Sequence, residues 1–107
     1  MEVESLLLVE AHGLGIDGEV AVELAKIVEP VVQSFEAFED WGVYYFSSTR
    51  CATACEKLDE ESRNDGAVLL WHVAQQARSL LKGCVGVDYF NLRRKELENG
   101  PSSSTLQ

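Results

Sequence analysis

Basic residues are nearly absent from the first forty positions of this 107-residue chain. The segment Met1–Asp40 holds ten acidic side chains and a single base, Lys26, whereas residues 41–107 hold eight of each sign. The net charge of −9 therefore arises in the first part of the chain. Because contact with phosphate groups needs positive charge, this pattern argues against direct binding to nucleic acid or to an anionic membrane, and it predicts a basic protein partner.

Long hydrophobic runs and a basic leader are missing as well. The apolar run Leu6–Val9 is four residues long, whereas a span of a bilayer needs roughly 20 residues. Acidic residues surround this run, where a signal peptide would carry positive charge.

Cysteine is scarce, and the three positions, Cys51, Cys55 and Cys84, lack the spacing of a disulfide-stapled secreted domain. We therefore expect a cytoplasmic protein with free thiols and no membrane segment.

The sequence contains no motif for catalysis or for a cofactor. Three glycines fall within Gly13–Gly18, but their spacing matches neither a dinucleotide-binding loop nor a P-loop. Adjacent acids such as Glu39 and Asp40 point about 100° apart on a helix, so they do not converge on one substrate atom. Cys51 and Cys55 fall on an apolar stripe, where cysteine usually packs instead of binding metal. The chain is predicted to be a non-enzyme with no catalytic residue, no metal site and no cofactor.

Helical periodicity is the dominant pattern. Apolar residues recur at three- and four-residue steps in three long segments, which predicts amphipathic helices. These segments are Asp17–Glu39 with a kink at Pro30, Val43–Leu58 and Asp65–Lys82, followed by a short C-terminal helix at Asp88–Glu98. The chain length and the 46% hydrophobic content suffice for one core. The sequence therefore predicts an all-α or predominantly α bundle, with one helical domain over residues 1–98 and a flexible tail over 99–107.

Two segments fit more than one structure. The run Leu6–Val9 suits a short strand, although Val3, Leu6, Leu7 and Ala11 would also share one side of a helix. For residues 1–16 we favour the extended form. Residues 84–90 fit either a strand that pairs with Leu6–Val9 or a segment that runs along the helices.

An acidic stripe and an aromatic cluster are the candidate binding features. Glu29, Glu36 and Asp40 would lie on one stripe of the predicted Asp17–Glu39 helix, opposite its apolar face. Carboxylates in such an array can imitate a phosphate backbone. The aromatic cluster that follows exceeds what one face can bury, so its surplus members are candidate interface anchors. The predicted partner-binding residues are Glu29, Glu36, Glu39, Asp40, Trp41, Tyr44 and Tyr45.

These features support two functional hypotheses, besides the plain reading that the acids form a solvated face. The first is a non-enzymatic protein-binding protein that acts through its acidic surface on a basic partner. One form of it is an inhibitor that blocks a nucleic-acid-binding site, as anti-defence proteins encoded by phages do. The second is a homo-oligomeric helical module that binds a small anionic ligand, such as a nucleotide, between subunits. Its predicted anion-binding residues are Arg93, Arg94 and Lys95.

Overall fold

Six α-helices make up the part of the chain that the computed structural model describes, residues 3–82 and 87–98. They are α1 Val3–Leu14, α2 Gly18–Val32, α3 Phe38–Tyr45, α4 Ser48–Cys55, α5 Glu60–Lys82 and α6 Val87–Glu98. These residues contain no strand, so the predicted all-α bundle is confirmed. Side chains are described at 3–80 and 91–97. The tail predicted at 99–107 lies outside the described residues.

The longest helix, α5, is the central element of the bundle and packs against each of the other five helices. Its inner face repeats at three- and four-residue steps, which directs those side chains toward neighbouring helices. The completely buried members are Leu69, Leu70, Val73, Ala74 and Ala77. The helix predicted at Asp65–Lys82 is confirmed, and it begins earlier, at Glu60. Neither α5 nor any other described helix is both long and apolar enough to cross a membrane.

The N-terminal segment is helical, so the extended form favoured from the sequence is wrong. Val3, Leu7 and Ala11 lie four residues apart and are all buried in α1. This spacing places them on one helix face, which packs against α2 and α5. Of the two forms that fit residues 84–90 in the sequence, the strand is wrong for residues 87–90, because these residues lie in α6. Residues 84–86 lie outside the described part of the chain.

A tight connection joins α1 to α2. Gly15 has a φ of 71°, a left-handed conformation that glycine adopts without strain. The Ile16 N–H donates to the carbonyl of Ala11 at 2.8 Å. Asp17 then caps α2, since its carboxylate accepts a hydrogen bond of 3.0 Å from the Glu19 N–H. The short connection explains why α1 and α2 are packed neighbours.

The helix predicted at Asp17–Glu39 is wrong in its second part, because α2 ends at Val32. Pro30 lies in the last turn and leaves a carbonyl one turn earlier without its N–H donor. Ser34 then closes the helix end, since its N–H and its hydroxyl both donate to the carbonyl of Val31, at 3.0 and 2.6 Å. Residues 33–37 form a loop, so no continuous kinked helix exists here.

The helix predicted at Val43–Leu58 is also wrong as a single element. Phe46 and Ser47 separate α3 from α4, and the chain leaves helical geometry at Ser47, whose backbone is extended with ψ at 130°. Gly42, which lies between the predicted helices Asp17–Glu39 and Val43–Leu58, is inside α3. A Cβ atom at Gly42 would overlap the Cβ of Ala77 on α5. The missing side chain therefore permits the close packing of α3 on α5, and its role is contact instead of a chain break.

Candidate functional site

Exposed carboxylates run along α2 and into the loop that follows it. Glu19, Glu23 and Glu29 are exposed on α2, within an arc of about 120° on an ideal helix. Lys26 lies in the same arc, and its ammonium group contacts the Glu23 carboxylate at 3.2 Å. Glu36 is exposed in the loop. These four glutamates, Glu19, Glu23, Glu29 and Glu36, form the acidic face.

Glu29 and Glu36 line the same cleft, although they do not share a helix. The cleft has a volume of about 250 Å³ and lies between the end of α2, the loop and the start of α3. Its apolar lining includes Val32, Phe38 and Trp41. The structure thus brings together three of the predicted partner-binding residues, Glu29, Glu36 and Trp41, through the loop and not through a stripe on one helix.

Asp40 does not join this cleft. Its Oδ1 atom accepts hydrogen bonds from Arg93, at 2.8 Å from Nη2 and 3.1 Å from Nε. The hydrogen bond with Asp40 raises the pKa of Arg93 above its ordinary value. The prediction that Asp40 lies on one stripe with Glu29 and Glu36 is wrong, because Asp40 lies on α3 and is bound to α6. Glu39, also on α3, is half-buried.

Two of the three aromatic residues predicted to contact a partner are buried, and the prediction is wrong for them. Trp41 is 1% exposed and Tyr45 is 4% exposed. The Trp41 ring lies edge-on to Phe38 at 5.4 Å and to Tyr45 at 6.2 Å. As a separate short helix, α3 can turn this aromatic side toward α5. Tyr44 is half-buried, with its ring 5.3 Å from that of Phe35.

The anion site predicted at Arg93, Arg94 and Lys95 is not assembled within the described chain. Arg93 is held by Asp40 and contacts Glu96 at 3.3 Å. Arg94 is half-buried and Lys95 is exposed. Since neighbouring helix positions point about 100° apart, the three cations do not converge on one ligand.

A larger cavity, which the sequence analysis missed, lies between α2, α3 and α4. Its volume is about 470 Å³, and Arg50 and Lys57 contribute positive charge to its wall. Thr49 and Thr53 of α4 and Lys57, which follows its end, recur at four-residue steps, so a polar stripe was present as a signal in the sequence. These polar residues did not predict a cavity, because α3 and α4 were predicted as one helix. Tyr45 also lines the cavity, and burial, with a smaller effect from neighbouring Tyr44, raises the pKa of Tyr45 to about 12.

The two described cysteines are packing residues. Cys51 and Cys55 are both buried, and the Cys51 thiol donates to the carbonyl of Ala67 at 3.7 Å. The hydrogen bond with Cys51, together with burial, raises the pKa of Cys55. Within residues 3–82 and 87–98, no three histidine, cysteine or acidic side chains are grouped as metal ligands. The Cys84 side chain lies outside the described part.

Like Asp40, Glu10 is an acid of the first forty residues that links two helices. The Oε1 atom of Glu10 on α1 lies 3.0 Å from Nε2 of His72 and accepts a hydrogen bond of 3.1 Å from Gln76, both on α5. Glu10 is half-buried in this contact. It therefore connects α1 to α5 and does not belong to the acidic face.

Comparison with known proteins gives no match among protein-family models, curated proteins or solved structures. The function is therefore inferred from the geometry and charge of the chain itself.

Proposed function

We propose that this chain is a non-enzymatic protein-binding protein whose acidic face docks on a basic partner. The observation that carries this proposal is the charge balance of the surface. Four exposed glutamates share one base, Lys26, and Glu23 already holds that base at 3.2 Å. Within the described side chains no other base pairs with these glutamates, and a basic partner would supply the charge that neutralises them. Surface charge of a single sign steers association with a partner of the opposite sign.

The cleft between Glu29 and Glu36 supports the proposal because it suits basic side chains. Lysine and arginine bury their aliphatic stems on apolar surface while their charged ends meet carboxylates. Val32 supplies apolar surface in this cleft, and Phe38 supplies an aromatic ring of the kind on which guanidinium groups pack. A partner that placed arginine or lysine here would be held through both its charge and its stem.

Nucleic-acid-binding proteins are the class of partner that fits this surface best. Their grooves present several lysine and arginine side chains at the spacing of phosphates. A row of exposed carboxylates on a rigid helix can occupy such a groove and exclude its nucleic acid. We infer that the chain acts as an inhibitor of this kind.

The experiment is capture of a partner from a cell extract on the immobilised full chain, at low and at moderate salt. The test variant changes all four glutamates of the acidic face to glutamine. The matched control removes the same charge from exposed acids elsewhere, with Glu56→Gln, Glu60→Gln, Glu61→Gln and Asp65→Asn. We expect the test variant to lose the partner and the control variant to retain it, because only the first changes the acidic face.

The captured protein is then identified by mass spectrometry and assayed for displacement of a labelled nucleic acid by the chain. A basic protein whose nucleic acid is displaced supports the inhibitor. Equal capture by both variants would contradict the proposal, and so would capture that does not respond to salt, since exposed charges act through screened attraction.

A second candidate function, the homo-oligomeric module, is favoured by the exposed apolar side chains of α1. Val9 is 67% exposed, and Leu8 and Leu14 are 36% and 38% exposed. Contact with α1 of a second copy could cover Val9 and Leu8, which lie about 100° apart on the helix, in a symmetric dimer. Light scattering tests this function: a dimer that Val9→Glu dissociates supports it, and a monomer at micromolar concentration contradicts it. Because Arg93 is already engaged by Asp40, an anion between subunits would meet Lys95 as the exposed cation of that predicted set.

A further inference from the structure

The cavity between α2, α3 and α4 has the form of a small-molecule site. Its volume of about 470 Å³ falls within the range of roughly 300–1,000 Å³ that is usual for ligand pockets. Ile27 and Val31 of α2 form an apolar wall, to which Ala54 of α4 adds. Pockets of this kind bury the apolar part of a ligand and orient it through a small number of polar groups.

The polar groups of this cavity carry positive charge. Arg50 and Lys57 line it, and the described lining contains no carboxylate. The Arg50 guanidinium lies 4.5 Å from the centroid of the Tyr44 ring and donates a hydrogen bond to the Tyr44 hydroxyl. Packing on this ring fixes the orientation of the guanidinium. Lys57 forms no ion pair with a described residue. In a chain of net charge −9, the cavity is a local exception.

Hydrogen-bond donors lie beside the two cations. Ser47 and Thr49 line the cavity at the start of α4, and the Ser47 side chain does not cap the helix. The first turn of α4 contains no acid, so the partial positive charge of this helix end is not offset locally. Free backbone N–H groups at such an end are suited to phosphate oxygens.

Tyr45 adds a buried donor to the same cavity. The residue is 4% exposed and lines the cavity, and its hydroxyl makes no hydrogen bond with a described residue. A phenol keeps its proton at neutral pH, and burial raises the pKa of Tyr45 further, to about 12. The hydroxyl can therefore donate a hydrogen bond to an anion. Because Tyr45 lines the cavity, its hydroxyl can donate a hydrogen bond to an acceptor atom of a ligand bound there.

We propose that this cavity binds a small phosphate monoester that carries an apolar or aromatic group. A phosphate monoester bears a charge near −2 and three acceptor oxygens at neutral pH, which matches two cations and several donors better than a carboxylate does. The phosphate would lie toward Arg50, Lys57 and the start of α4. Its organic group would lie against Ile27 and Val31. This site is separate from the acidic face and does not depend on the proposed partner.

The experiment is calorimetric titration of the full chain, in a phosphate-free buffer, with phenyl phosphate, inorganic phosphate and phenol. We expect phenyl phosphate to bind about tenfold more tightly than inorganic phosphate, because the ring adds apolar burial. Phenol should bind weakest, because it lacks the charge. In amide NMR spectra, phenyl phosphate should shift the signals of Ser48, Thr49 and Arg50 at the start of α4.

Substitutions of the two cations test whether the phosphate binds beside Arg50 and Lys57. Lys57→Gln should lower the affinity for phenyl phosphate by about tenfold, which is the usual effect of losing one hydrogen bond to a charged group. Arg50→Gln with Lys57→Gln should weaken it further. The matched control, Lys26→Gln with Lys95→Gln, also removes two positive charges, but neither lysine lines the cavity. It should bind like the wild type. Circular dichroism checks that each variant is folded. We expect Lys57→Gln to fold, because the Lys57 side chain is exposed.

Three results would overturn this proposal. The first is no binding of phenyl phosphate at millimolar concentration. The second is equal weakening by the cavity variant and the control variant, which would mean attraction by overall charge. The third is inorganic phosphate binding as tightly as phenyl phosphate, which would remove the organic group from the proposed ligand.

Discussion

Asp40 and Arg93, 53 residues apart in sequence, are joined by contacts of 2.8 and 3.1 Å between one carboxylate oxygen and two guanidinium nitrogens. Both side chains are partly buried, at 21% and 30% exposure. The pair fixes α6 on α3 and neutralises an acid that the sequence had assigned to the partner-binding surface. The acidic face therefore does not include Asp40, which has a role in the fold instead.

A double-mutant cycle with Asp40→Asn and Arg93→Gln should measure this role. We expect a coupling of about 1 kcal/mol in the free energy of unfolding, since the pair is partly shielded from water and has favourable geometry. The exposed Glu23 and Lys26 pair is the control, and its coupling should be only about 0.2–0.5 kcal/mol. Urea denaturation gives both values. Equal couplings for the two pairs would mean that the Asp40 contact adds nothing beyond an ordinary surface pair.

Gly42 and Gly13 should respond in opposite directions to the same substitution. Gly42→Ala places a Cβ atom into Ala77 of α5, and such overpacking should destabilise the fold by about 1–3 kcal/mol. Gly13→Ala, in the last turn of α1, meets no atom within 4 Å and should stabilise by about 0.5–1 kcal/mol through reduced freedom of the unfolded chain. Thermal unfolding followed by circular dichroism compares them. A Gly42→Ala variant as stable as the wild type would show that α3 can move away from α5 without loss.

Local periodicity predicted which faces are buried, but it did not reveal where the helices end. The apolar positions Val31, Phe35 and Phe38 keep helical spacing across the loop at residues 33–37, so the hydrophobic pattern continues where the backbone leaves the helix. Phe35 and Phe38 still pack on the core from the loop and from α3. The break is caused by local hydrogen bonding at Ser34 and by the proline before it, which the apolar pattern does not register.

The binding sites were harder to predict than the helix ends, because they are formed by contacts between distant parts of the chain. Glu29 and Glu36 were predicted correctly as exposed acids, but their shared cleft is formed by the loop between them. The positive cavity needs α2, α3 and α4 to meet, and the pairing of Asp40 with Arg93 needs α6 to return to α3. Such placement follows from tertiary packing, and a pattern within one segment contains no information about it.

Alkaline pH should destabilise the fold through Tyr45. Its pKa rises from 10.0 to about 12 on folding, mainly because burial disfavours the phenolate. The folded protein therefore binds more protons than the unfolded chain between these pH values, so stability is intact below pH 10 and falls as the pH rises toward 12. The loss should be roughly 2–3 kcal/mol at full effect. Urea denaturation at several pH values, with phenolate absorbance as a second signal, checks it.

Tyr45→Phe separates this effect from the titration of other groups. The variant cannot ionise at this position, so its stability should fall less steeply above pH 10 than that of the wild type. Other groups that lose a proton at alkaline pH are present in both proteins, so the comparison removes their contribution. Parallel curves for the two proteins would place the alkaline loss on some other group.

Removing the charges of the acidic face should leave the fold intact and change how its stability responds to salt. Glu19, Glu23, Glu29 and Glu36 are exposed, so each change to glutamine should alter the free energy of unfolding by at most about 0.5 kcal/mol. Their mutual repulsion opposes folding in the wild type, and salt screens repulsion between exposed charges. The melting temperature of the wild type should therefore rise with added salt more than that of the fourfold variant.

The matched control for this measurement is the variant that neutralises Glu56, Glu60, Glu61 and Asp65, which removes equal charge from outside the acidic face. It should keep most of the salt response of the wild type, because bases such as Lys57 and Arg63 lie near those acids in sequence, whereas Lys26 is the single base of the first forty residues. An equal loss of salt response in both variants would mean that the repulsion is spread over the whole surface. In that case the acidic face would have no charge excess of its own with which to steer a basic partner.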